Sequence, residues 1–151
     1  MSGQSDMDSV LTLTWEDIER AAEVIVRKIL STQMKVDTVI AIARGGLVPG
    51  RIVAGKLGVE NIAIWHPNHG IIGALKGQQL VVDDIVDSGK TIAAAGLLFG
   101  GGVTAALLSR KKYAADFIGC VLEPGDKRFV LFPWESLEEE KKDIRWGNYG
   151  I

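Results

Sequence analysis

Apolar and polar residues change their spacing in blocks along the chain. After Thr14, the residues Ile18, Ala22, Ile25 and Ile29 return every three or four positions, which is the spacing of one face of an α-helix. Thr14 supplies a hydroxyl N-cap and Asp17, three positions on, a carboxylate. That pairing marks a helix start, so an amphipathic first helix is predicted from about Trp15. Val36 to Ala43 (VDTVIAIA) is a short β-branched run that stops at Arg44-Gly45-Gly46 and predicts a strand. An apolar helix is expected next, from about Pro49 to Leu57 with Gly58 as its terminator. Asn61 to Trp65 predicts a second strand. After an irregular stretch, Gln79 to Ile85 predicts a third, running into Asp87-Ser88-Gly89-Lys90-Thr91 and another apolar helix. Gly100-Gly101-Gly102 breaks the chain before Val103 to Leu108, and Asp116 to Leu122 and Phe129 to Phe132 read as two later strands.

Strands that are apolar throughout and alternate with helices argue for an α/β fold: a mainly parallel twisted sheet covered by helices on both faces. Such sheets bind ligands at the carboxyl ends of their strands, where both glycine-containing loops fall. No linker interrupts the pattern, so one domain over residues 1–151 is expected, with a core of about 14–135 and a tail of about 136–151. The run Glu138-Glu139-Glu140-Lys141-Lys142 reads as a solvated face.

Composition narrows the picture. The 151 residues are 47% hydrophobic, enough for one real core. Lys and Arg total 17 against 19 Asp and Glu, a net charge of -2, so no general pull toward nucleic acid or an anionic membrane exists and any phosphate must be bound locally. The single cysteine, Cys120, excludes an internal disulfide and is expected as a small buried hydrophobe in a reducing compartment. No stretch approaches the roughly 18 apolar residues of a membrane span, and MSGQSDMDSV has no leader pattern. A soluble cytoplasmic protein is expected.

The chemistry concentrates in Val81-Val82-Asp83-Asp84-Ile85-Val86-Asp87-Ser88-Gly89-Lys90-Thr91. Consecutive amides at a helix N-terminus, with the Ser88 and Thr91 hydroxyls, make a cradle for a phosphate dianion because unpaired N–H groups and the helix dipole favour negative charge. Asp83 and Asp84 would repel phosphate; they suit sugar hydroxyls or a hydrated Mg²⁺. Gly89-Lys90-Thr91 superficially matches the end of a nucleotide triphosphatase P-loop, but that pattern needs glycine where Asp84 stands. Upstream, Arg44 offers a fixed cationic fork, and Gly45 and Gly46 let backbone amides approach an anion closely.

These eleven residues resemble the phosphoribosyl-pyrophosphate signature of the type I phosphoribosyltransferases, with Ser88 in place of the usual threonine. Ala41-Ile42-Ala43-Arg44-Gly45-Gly46-Leu47-Val48-Pro49-Gly50 is similar to that family's pyrophosphate loop, above all in the bacterial xanthine-guanine enzymes. The resemblance implies that Asp83 and Asp84 hold the ribose hydroxyls and Mg²⁺, that Asp87 to Thr91 bind the 5-phosphate, and that Arg44, Gly45 and Gly46 bind pyrophosphate. It implies that Asp87 lies near N7 of a purine and handles its proton, and that the Ala43–Arg44 peptide can be cis. In the carboxyl-terminal third, Leu107-Leu108-Ser109-Arg110-Lys111 and Phe129-Val130-Leu131-Phe132-Pro133-Trp134-Glu135 resemble the base site of purine-using members. There Phe129 and Val130 would face the base, Glu135 would take the carboxylate place, and either Arg110 or Lys111 the cationic one.

One departure stands out. Members carry a long mobile hood loop before the signature strand, whereas here only His66 to Gly77 (HPNHGIIGALKG) remain. His66 and His69 offer donors there, although two histidines in a turn are more often incidental. A short hood fits a slow enzyme, a lid lent by a neighbouring subunit, or a protein that binds the sugar phosphate without turnover. The function expected from the resemblance is Mg²⁺-dependent transfer of a phosphoribosyl group to hypoxanthine, guanine or xanthine in purine salvage, by a homodimer or homotetramer with no nucleic-acid or membrane partner. The alternatives are a non-catalytic regulator that binds the sugar phosphate, with Arg110-Lys111-Lys112 as its one basic cluster, and transfer to a non-purine base.

Overall fold

The computed structural model describes residues 9–99 and 102–136. The Gly100-Gly101 break, the 138–142 charge run and most of the tail lie outside the described residues. In chain order the elements are β1 (Val10–Thr12), α1 (Trp15–Ser31), β2 (Thr38–Ile42), α2 (Leu47–Leu57), β3 (Asn61–His66), β4 (Gly70–Ile72), β5 (Gln79–Val86), α3 (Lys90–Leu98), β6 (Val103–Ser109), β7 (Phe117–Val121) and β8 (Phe129–Leu131). They form two compact units, a small one from residues up to 17 and from 127 onward, and a larger one over 18–126.

In the small unit, β1 pairs in parallel with β8, Leu11 opposite Val130, and the Leu13 amide extends the ladder to the Leu131 carbonyl at 2.9 Å. Trp134 stacks on Phe132 with ring centroids 4.8 Å apart and meets Trp15 at 5.9 Å. The predicted helix start is a reciprocal capping box: the Asp17 amide donates to Thr14 Oγ1 at 3.1 Å and the Thr14 amide to Asp17 Oδ2 at 2.8 Å, satisfying two amides that no helical carbonyl can reach.

The larger unit is a six-stranded sheet in the order β4-β3-β2-β5-β6-β7. Every pair is parallel except β3 with β4. Successive residues of a strand face opposite sides, and β2 shows what covers each. A side chain at Gly50 of α2 would meet Ala41 and Val39, whereas Ile40 and Ile42 share a buried cluster with Ile92 and Ala95 of α3. Helices α2 and α3 therefore cover opposite faces, as a right-handed crossover on each side of the central pair requires. On α1, Ile18, Ala22, Ile25 and Ile29 are all fully buried.

Several boundaries move. Helix α2 starts at Leu47, before Pro49, because proline costs nothing in a first turn whose amides have no helical acceptor. Gly58 ends it as predicted, at φ 72°. Cys120 is exposed rather than buried; it sits near the end of β7, the last strand of the sheet, where coverage runs out. The stretch read as irregular contains β4, which turns the short hood into an edge strand running back along β3. Its far end is fastened at the amino edge of the sheet. The buried Thr38 hydroxyl donates to the Lys76 carbonyl at 2.7 Å and accepts from the Lys76 amide and Asn61 Nδ2 at 2.9 Å each, while Asp37 Oδ2 accepts the Gln78 amide at 2.8 Å. None of the helices among the described residues is long and apolar enough to cross a membrane.

Candidate active site

The chain leaves β2 toward β3 on one side and β5 toward β6 on the other. Between these neighbours lies the switch point at which sheets of this kind bind ligands. Both predicted loops open there, at the carboxyl ends of β2 and β5.

After β2 the Ala43–Arg44 peptide is cis, and the Ala43 amide donates to the Trp65 carbonyl at 2.8 Å. Arg44 is exposed. The glycines that follow answer to a packing demand that the sequence did not display. A Cβ at Gly45 would overlap the Asp84 carboxylate, and one at Gly46 would overlap the Val82 carbonyl and lie 2.8 to 2.9 Å from the Ile42 backbone. The loop is thus pressed onto the end of β5. Gly46→Ala is expected to destabilise the protein by roughly 2 kcal/mol or more, because backbone rather than a flexible side chain must yield. A denaturation midpoint unchanged from the parent would show that the loop relaxes freely.

Asp83 and Asp84 lie in the second half of β5. Asp83 is 9% exposed, and its Oδ1 accepts the Asp84 amide at 2.8 Å; Asp84 Oδ1 accepts the Ile85 amide at 2.7 Å. Burial, and then the neighbouring Asp84 charge, push the Asp83 carboxyl up to about 8. Burial likewise raises Asp84. One backbone donor to each carboxyl does not offset the burial; a divalent cation would supply positive charge, and a ribose diol further donors. No trio of His, Cys, Asp or Glu side chains converges on a metal site among the described residues, so a cation here would complete its shell with water and ligand oxygens, as Mg²⁺ characteristically does.

Asp87, Ser88, Gly89, Lys90 and Thr91 line a cleft of about 100 Å³ together with Asp83, Ile85, Val86 and Ile92. That volume suits a phosphate group rather than a whole nucleotide. Gly89 has φ 90°, a conformation that only glycine adopts cheaply, and it turns the chain so that α3 begins without a side-chain cap. The Lys90 amide lies 3.3 Å from Ser88 Oγ. Buried Ile92 and Ala95 hold the helix to the sheet.

The turn after β6 is fastened to this loop. Arg110 Nε lies 2.7 Å from Asp87 Oδ1, the Arg110 amide donates to the Val86 carbonyl at 2.9 Å, and Lys111 Nζ donates to the Ser88 carbonyl at 3.0 Å. Arg110 and Lys111 are therefore both brought to the loop between β5 and α3, a connection that spacing alone could not reveal. In the small unit, Phe129 is half exposed while Val130 is buried on the opposite face of β8. Glu135 Oε1 accepts the Phe132 amide at 3.0 Å. His66 and His69 lie with ring centroids 4.3 Å apart, and His66 Nδ1 accepts the Asn68 amide at 3.0 Å.

A mainly parallel sheet with an acid-bearing strand and two glycine-containing loops at one switch point is the arrangement of the type I phosphoribosyltransferase fold. Solved structures agree. The chain superposes on a purine phosphoribosyltransferase from Pyrococcus horikoshii with a TM-score of 0.69, covering 91% of this chain and 99% of the other at 24% identity. The xanthine-guanine-hypoxanthine phosphoribosyltransferase of Helicobacter pylori gives 0.70, covering 87% and 97% at 20% identity. In sequence the chain is similar along most of its length to a bacterial xanthine-guanine phosphoribosyltransferase. That relative, from Nitratidesulfovibrio vulgaris, is 28% identical over 149 residues, covering 90% of this chain and 91% of its own. No family model matches.

Proposed function

We propose that the protein transfers the 5-phosphoribosyl group of 5-phosphoribosyl-1-pyrophosphate (PRPP) to a purine of the hypoxanthine, guanine and xanthine group, with release of pyrophosphate, in purine salvage. The observation that carries this reading is the pairing of two adjacent carboxyls, both raised by burial, with an uncapped helix N-terminus beyond them on the same strand-loop-helix unit. The amides of residues 88 to 91 hold the 5-phosphate. Asp83 and Asp84 accept the ribose hydroxyls and hold Mg²⁺, which when bound offsets charge on the departing pyrophosphate.

Arg44, with the amides of Gly45 and Gly46, holds the pyrophosphate. The bond from C1 of the sugar to pyrophosphate breaks as the base nitrogen bonds to C1, and Asp87 accepts the proton that the base gives up. Of the two cations expected at the base, Lys111 suits its exocyclic oxygen, since one of three ammonium donors meets Ser88 and the head is exposed. On the family resemblance alone, Phe129 is proposed to stack on the base, Val130 to offer backbone and Glu135 its carboxylate. The proposal extends to a homo-oligomer acting in the cytoplasm without nucleic-acid or membrane partners.

The test is turnover of labelled PRPP with Mg²⁺ and a panel of bases. Nucleotide from at least one of hypoxanthine, guanine and xanthine supports the reading. Binding of PRPP without product from any base would favour the regulator, and product from orotate alone would move the acceptor to the pyrimidines. Arg44→Ala should weaken PRPP and pyrophosphate by roughly 10-fold or more, yet change ribose 5-phosphate little, since only the former place an anion on the glycine loop. Equal losses for all three ligands would mean that Arg44 supports the whole loop.

A further inference from the structure

Asp87 and Arg110 stand on different loops, and the contact between them is built rather than incidental. Arg110 uses two faces of its guanidinium: Nε reaches Asp87 Oδ1 at 2.7 Å, and Nη1 donates to the Asp126 carbonyl at 2.7 Å. Its backbone amide is fixed on the Val86 carbonyl, one residue before Asp87. The turn that carries it is itself clamped. Ser109, fully buried, accepts the Lys111 amide at 3.0 Å and donates to the Lys111 carbonyl at 2.5 Å. Arg110 is only 21% exposed along its side chain, whereas Asp87 is 77% exposed. The anchored member of the pair is the arginine, and the exposed member is the carboxylate.

We infer that Arg110 is a positioning residue that fixes the orientation of the Asp87 carboxylate over the phosphate loop, and that it acts on the base only through Asp87. This rests on the transfer reading above. An exposed carboxylate on a turn samples several rotamers, and proton acceptance requires one of them. A planar guanidinium tied at two of its nitrogens selects that one. A lysine offers a single ammonium on a flexible stem and cannot hold the carboxylate and the Asp126 carbonyl in one fixed plane.

The discriminating experiment is a double-mutant cycle between Arg110→Gln and Asp87→Asn. It is read as kcat for nucleotide formation at saturating PRPP and purine, with PRPP affinity by calorimetry alongside. Arg110→Gln is expected to lower kcat roughly 10- to 100-fold with base KM and PRPP affinity within about threefold of the parent. In the Asp87→Asn background the same change should cost less than about threefold, because the group it orients is gone. Arg110→Lys should keep the charge and recover only part of the rate. If the Gln variant does not fold, the cycle runs with Lys. Losses that multiply, or a rise in base KM at unchanged kcat, would show direct contact with the base and overturn the inference. An unchanged kcat would make Arg110 a bystander. A parent without turnover removes the transfer reading and this inference together, whereas an active parent with multiplying losses removes this inference alone.

Discussion

Asp87→Asn lowers the rate of nucleotide formation by roughly 10²- to 10⁴-fold while leaving sugar-phosphate binding within a few-fold of the parent. The expectation follows from where the carboxylate stands. It begins the loop between β5 and α3 and is 77% exposed, so it is open to a ligand. In the proposed reading the 5-phosphate rests instead on backbone amides and hydroxyls of residues 88 to 91, which the substitution leaves in place. Asparagine keeps the shape and can still meet Arg110, but it cannot accept a proton. Single-turnover rates with calorimetric PRPP affinities separate the two effects. Near-parent rates would remove Asp87 from proton transfer, and loss of PRPP affinity along with rate would show that it chiefly shapes the loop.

Asp83→Asn with Asp84→Asn should have two opposite effects. Binding of PRPP falls roughly 10²-fold or more, because the ribose diol and Mg²⁺ lose their charged acceptors. The ligand-free protein, by contrast, becomes more stable at alkaline pH. Burial raises both carboxyls, Asp83 to about 8 from an ordinary 3.8. The folded state therefore holds these protons more tightly than the unfolded one. The stability they contribute is complete below the ordinary carboxylate value and is lost as pH rises toward 8. Removing the charges should raise the thermal midpoint at about pH 8 by roughly 4 to 8 °C, the equivalent of about 2 kcal/mol. The gain should shrink steadily toward about pH 5. Thermal melts of both proteins across this range, without Mg²⁺, test it. A gain independent of pH would deny that the carboxyls are held against ionisation.

Local signals carried much of the fold. The α1 face, its capping box, the Gly58 terminator and both strand-loop-helix units depend on neighbours within a turn or two, and all appear as read. What escaped depends on distant partners. The three-residue strand β1 is too short for periodicity to register, and it exists because β8, which was legible, supplies its ladder from across nearly the whole chain. Strand β4 is glycine and two isoleucines against β3, too short for an alternation to show. At the site, the residue types were legible because an anion cradle and paired acids need a contiguous motif. The tie between Asp87 and Arg110 joins the ends of adjacent strands and left no mark in spacing. Gly45 and Gly46 were read for their approach to an anion; the structure adds that they admit Asp84 and the end of β5, a demand made by another strand.

The most direct measurement of the central claim is a crystal structure of the protein with Mg²⁺ and a purine nucleoside 5′-monophosphate. The account predicts the phosphate on the amides of residues 88 to 91, the ribose hydroxyls on Asp83 and Asp84, and the purine N7 within hydrogen-bond reach of Asp87. A nucleotide bound with its phosphate on the Arg44 loop, or with its ribose away from both acids, would contradict it.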